Sequence, residues 1–149
     1  MSQTANVRAS IGFTRTAAPD GGQASAEQSL SHSATFTNGT TSGKADLAFC
    51  DDRSLASGAS EDIDFAGSLA DAYGVTITAV EIVAIMIKAA AANTTNLTIG
   101  GATAEWQGPF AAAGDKIVLR PGEVFMMASD TGWTVGAGTT DDLAIVNAW

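Results

Sequence analysis

The sequence is short of the residues from which most reactive centres are built. It holds one cysteine, Cys50, and one histidine, His32, in 149 residues. A lone cysteine closes no internal disulfide, which excludes a scaffold stapled by disulfides. One Cys and one His fall short of the four ligands of a structural zinc site. Cations are scarce too: seven Lys and Arg stand against sixteen Asp and Glu, for a net charge of −9. Nucleic-acid affinity comes from clustered Lys and Arg displacing counterions from phosphates, so no direct nucleic-acid partner is expected. A long apolar run is also missing. The most apolar stretch, GVTITAVEIVAIMIKAAAANTTNLTIGG (Gly74–Gly101), is broken by Glu81 and Lys88 and ends in polar residues. It falls short of the roughly 20 apolar residues that a membrane-crossing helix needs. The opening MSQTANVRASIGFTR has no continuous apolar segment of the signal-peptide kind. A soluble protein without a membrane partner is expected.

The charge that is present is unevenly placed. Up to Cys50, Arg8, Arg15 and Lys44 balance Asp20, Glu27 and Asp46, so the whole net charge of −9 falls beyond that residue. An acidic surface serves solubility and can face a basic protein surface.

The length suits one domain that buries well over half of its unfolded surface. Residues 1–25 are mostly small and polar, and only Val7, Ile11 and Phe13 offer burial. With the turn-forming APDGG (Ala18–Gly22), they read as an extended N-terminal arm or one loosely attached strand. Fully extended, residues 2–25 would reach roughly 70 Å at about 3 Å each.

Residues 26–149 read as the folded domain. EQSLSHSATFT (Glu27–Thr37) puts Leu30, His32, Ala34 and Phe36 on one side and serines and threonines on the other, the period-two pattern of a strand with one wet face. NGTTSG then suggests a turn, and KADLAFC a second strand forming a hairpin with the first. EDIDF alternates like a short strand, and GSLADAYG suits one helical turn or a tight connection closed by Gly74. In the apolar stretch, Val80, Ile82, Val83, Ile85 and Ile87 are β-branched, which favours strand over helix. Both its faces are apolar, as in a central strand covered on two sides, with LTIGG returning as its partner. Strands are expected around Trp106, on either side of Pro121-Gly122, in GWTVGAG and in DDLAIVNAW, where Leu143, Ile145 and Trp149 face inward. The fold class is all-β: a single β-sandwich or jelly-roll domain with an extended N-terminal arm.

Chemistry is hard to assemble from these residues. A nucleophile, a base and an orienting group must converge in a hydrolase, and His32 sits in an alternating strand as a partly buried or edge histidine. Cys50 beside Asp51 and Asp52 is a poor nucleophile, because neighbouring carboxylates raise a thiol pKa, and a small buried thiol is expected. Asp51, Asp52, Asp141, Asp142 and the acids of Glu61–Asp64 lack EF-hand spacing and read as solvated loop acids. TIGGA and TVGAG match no phosphate-loop pattern. Trp106, Trp133 and Trp149 suit core or interface anchors better than a sugar platform. No catalytic residue, metal site or cofactor is expected, and the protein is read as a non-enzyme.

Three successive stretches carry a family likeness: FTNGTTSGKADLAFCDDRSLASGASEDIDFAGSLADAYG, then ITAVEIVAIMIKAAAANTTNLTIGGA, then IVLRPGEVFMMASDTGWTVGAGTTDDLAIVNA. Together they span about Phe36 to Ala148 and resemble small structural proteins encoded by tailed bacteriophages and related prophage or gene-transfer clusters. The shared elements, such as DDRSL, DIDFAGSL, RPGEVFMMA and GWTVGAGTTDDL, are turns and core strands, and no functional residue is carried over. The resemblance implies a β-sandwich virion component, a decoration (cement) protein on the outer surface of the head with the major capsid protein as partner. A tail, fibre or baseplate component is the alternative, and a carbohydrate-binding module a second one. Residues Met1–Thr35 depart from the family pattern. Val7, Ile11 and Phe13 are the candidate interface residues there, anchoring the arm in a shell groove or on a neighbouring copy, by strand addition to a free edge if one is offered. Self-association is expected, with a trimer as one form.

Overall fold

The computed structural model describes residues 2–148, and eight strands and no α-helix are found among the described residues. In chain order they are β1 (Thr4–Ala17), β2 (Ala24–Thr37), β3 (Ser60–Asp64), β4 (Glu81–Lys88), β5 (Leu97–Ile99), β6 (Ile117–Leu119), β7 (Val124–Thr134) and β8 (Asp142–Asn147). They form three antiparallel sheets: a β1–β2 hairpin, a four-stranded sheet in the order β3-β8-β5-β6, and a β4–β7 pair.

One core joins the last two sheets. Ile63 of β3, Ile99 of β5, Leu119 of β6 and Leu143 of β8 are buried in it, together with Leu69, Ile77, Ala89, Trp106 and Val135. Ile82, Ile85 and Ile87 of β4 and Phe125 and Trp133 of β7 pack on the same cluster. Leu143 and Ile145 face inward as alternation requires; the expectation for Trp149 lies outside the described residues. Trp106 lies at the centre. Its ring meets Phe65 and Trp133 edge to face, at centroid distances of 5.1 and 6.2 Å, and its indole N–H donates to the Thr134 carbonyl at 3.1 Å. That bond lets an amphipathic ring sit at 1% exposure without stranding a polar atom.

Several expected strand partners are corrected. The strand over Glu27–Thr37 forms, but it pairs with β1 rather than with KADLAFC. Gly39 and Gly43, at φ 146° and 74°, carry the chain onward, and Lys44 makes only a single parallel bridge to Thr37. β1 offers fourteen matched partners across a short turn, so the local pairing with the longer ladder wins. Cys50 is exposed rather than buried, because its segment joins no ladder and lies on the surface. Arg53 stacks there over Phe49 at 5.6 Å and pairs with Asp51 and Glu61.

LTIGG does not return beside β4. Residues 89–96 cross from one sheet to the other: Ala89 exchanges backbone bonds with Glu123 and Gly122 next to β7, and Asn96 accepts from Ala148 after β8. Ile87 before the crossing and Ile99 after it contribute to one core. β4 is therefore no central strand. It has the single partner β7, and its outward side chain Met86 is 66% exposed. No strand forms around Trp106, where one bridge joins Glu105 to Asp142. GSLADAYG is a tight connection, with the Asp71 carboxylate accepting from the amides of Tyr73 and Val75.

Candidate protein-docking surface

The hairpin is built from two stretches of matching period. Its register runs without a break from Thr4↔Thr37 to Ala17↔Ala24. At the tip, Gly22 N–H donates to the Pro19 carbonyl at 3.1 Å, and Gly21 takes a φ of 114° that other residues adopt with strain. Because side chains alternate, the register assigns each pair to one face. One face carries Ala5↔Phe36, Val7↔Ala34, Ala9↔His32, Ile11↔Leu30, Phe13↔Gln28 and Arg15↔Ala26; the other carries only polar residues and Gly12.

The apolar face is open to water. Ile11 is 74% exposed, Phe13 57% and Leu30 76%, and Val7 is half-buried. The three residues singled out in the sequence thus share a face, as their odd numbers require. Reading residues 1–25 apart from 27–37 left Leu30 and Ala34 out of the surface that they complete. At roughly 3.3 Å per residue the ribbon is about 45 Å long, and no third strand joins it among the described residues.

The hairpin is fixed at its base. Phe36 is fully buried, and Gln3 donates to the Leu47 carbonyl at 3.2 Å. Ser42 Oγ and Gly43 N–H both donate to the Asp130 carbonyl at 2.8 Å. Asp130 stands in a bulge of β7: the β4 register jumps from Ala84↔Ala128 to Ile82↔Trp133, which leaves residues 129–132 without ladder partners. Gly132 shapes that bulge at φ 69°, and a side chain there would run into Glu81. The bulge frees a carbonyl to hold the base of the hairpin.

A second apolar area lies on the outer face of the β4–β7 pair, where Met86 faces Met126 and the half-exposed Val124 faces Lys88. Charge separates the two areas. Within residues 4–37, Arg8 and Arg15 balance Asp20 and Glu27, so the hairpin is neutral and the net charge of −9 belongs to the rest of the chain.

The other candidate chemistry stays dispersed. His32 lies exposed on the hairpin, Cys50 lies on the surface, and no group of three or more His, Cys, Asp or Glu is placed to hold a metal ion among the described residues. Asp64 and Asp142 face each other across the β3–β8 ladder. Burial raises the Asp142 carboxyl above its ordinary value, and the charges of Asp141, Asp62 and Asp64 add to the rise. Glu105 and Asp141 are buried but satisfied: Glu105 accepts from the amides of Gly101 and Gly114, and Asp141 from that of Gly138. These carboxylates staple loops. Trp106 is core and Trp133 packs against it, so these two form no exposed sugar platform. No protein-family model, curated protein or solved structure matches the chain.

Proposed function

We propose that this chain is a structural protein of a tailed-phage virion, a decoration protein that binds the outer surface of the head and stabilises the shell. Its body is read as a two-sheet sandwich and its hairpin as the gripping arm. The observation that carries this reading is the hairpin: a ribbon about 45 Å long with one open apolar face, held at its base by Phe36 and the β7 bulge. A single two-stranded hairpin is marginal in water, so a ribbon of this length calls for a partner to cover it. The outer face of β4–β7, with Met86 and Val124, offers a second contact. A protein that joins neighbouring shell subunits needs two such surfaces and no reactive centre. The likeness of Phe36–Ala148 to phage structural proteins points the same way.

The test is copy number. Quantitative mass spectrometry of purified particles is expected to find hundreds of copies, released from the head without loss of the tail. A handful of copies, or copies retained on isolated tails, would assign the chain to the tail instead. Deleting residues 2–22 is expected to lower head occupancy; unchanged occupancy would remove the arm from the mechanism.

A further inference from the structure

The hairpin's apolar face has a self-complementary profile. The pair Ile11↔Leu30 stands at its middle, with large and small residues distributed unequally on either side. Suppose a second hairpin lies face to face with the first, related by a two-fold axis that crosses the strands at this pair. Each residue then meets the one equally far on the other side of the middle. Phe13 falls on Ala9, and Ala26 falls on Ala34. Gln28 falls on His32, polar against polar, and the stem of Arg15 falls on Val7. Phe13 against Ala9 sets large against small, and Ile11 and Leu30 each meet their own counterparts at the centre.

Charge selects the direction. In this antiparallel pairing each body lies about 20 Å from the axis, because Ala5 is six residues from Ile11 at about 3.3 Å each. The two acidic bodies are then some 40 Å apart, against a screening length of about 8–10 Å at ordinary salt. Parallel ribbons would bring two bodies of like charge side by side. The neutral hairpins meet without such a penalty, and the two Arg15 side chains stay far from each other.

We propose that the occupant of this face is the same face of a second copy of this chain, packed antiparallel about the Ile11–Leu30 pair. The inference rests on the docking role given to the hairpin above and names its partner. A ribbon face about 40 Å by 10 Å buries roughly 800 Å² over both copies, below the 1,200 Å² of a standard stable interface. The dimer is therefore weak in free solution and forms where copies are concentrated, as they are on a shell.

Sedimentation equilibrium of the full chain, from low micromolar to near millimolar, is expected to show a monomer–dimer equilibrium. The double variant Ile11→Asp, Leu30→Asp is expected to weaken it at least tenfold, with the tryptophan fluorescence of the body unchanged. A monomer at every concentration, a trimer, or a dimer indifferent to this variant would overturn the proposal. A second measurement does not depend on the variant hairpin folding well. In a Cys50→Ser background, chains carrying Ala9→Cys are mixed with chains carrying Phe13→Cys and oxidised mildly with dissolved oxygen and a copper catalyst. The mixture is expected to cross-link and each chain alone to stay single; no cross-link, or equal cross-linking alone, counts against the pairing. Neither measurement uses phage particles, so failure here leaves the copy-number test of the virion reading to stand or fall by itself.

Discussion

Ile11 of the hairpin and Ile99 of the body each stand in an antiparallel ladder, yet one is 74% exposed and the other fully buried. The difference is what packs on each. Ile99 lies in a buried cluster against which Ile82, Ile85 and Ile87 of β4 and Phe125 and Trp133 of β7 pack. The hairpin has the same two-residue period and a longer, unbroken ladder, but no sheet lies over its apolar face among the described residues. Backbone pairing alone therefore does not make a region self-sufficient; a covered face does.

The comparison can be broken hardest at Trp106. Trp106→Ala removes the ring that Phe65 and Trp133 pack against, and an unfolding cost of about 3–5 kcal/mol is expected by chemical denaturation. Ile11→Ser, in dilute monomer, is expected to move the same curve by less than about 0.5 kcal/mol. Equal costs would mean that the hairpin face is covered within the chain.

Next in size is Phe36→Ala, which empties a fully buried site at the foot of the ribbon and is expected to cost about 3 kcal/mol. Hydrogen exchange is expected to accelerate at the amides of β1 and β2 while those of β5 and β8 stay protected. Uniform acceleration would show that hairpin and body open as one unit. Gly132→Ala forces a side chain toward Glu81 at positive φ, and about 1–3 kcal/mol is expected from thermal melts. A silent change would show that the β7 bulge shifts freely.

The smallest effect is electrostatic. A raised Asp142 pKa means that the folded chain holds this proton more tightly than the unfolded chain, whose Asp titrates near 3.8. The stability so gained is present below 3.8 and is lost as pH rises through the raised folded value. Asp142→Asn is expected to remove that decline and to raise stability at neutral pH by a few tenths of a kcal/mol, because the site is partly solvated. A pH–stability profile identical to that of the unaltered chain would remove the Asp62, Asp64 and Asp141 repulsion from the account.

Local signals were read well where they were periodic. EDIDF, the two strands about Pro121-Gly122 and DDLAIVNA all formed as strands, and β2 appeared over the stretch whose alternation marked it. The interface candidates Val7, Ile11 and Phe13 came from apolar scarcity in a polar segment, and they share one face. What misled was partnership. KADLAFC looked like the nearest partner for β2, LTIGG like the nearest for β4, and Cys50 like an interior thiol. The first two assumed that the next stretch along the chain would be the neighbour in space; the third followed the usual burial of a free thiol.

The sequence by itself determined where the strongly alternating strands fall and which of their side chains share a face, because alternation is a property of a few adjacent residues. Only the tertiary structure decided which ladders form and which apolar faces another layer covers. Those depend on contacts between residues such as Trp106 and Thr134, or Ser42 and Asp130, whose meeting is set by the path of the whole chain.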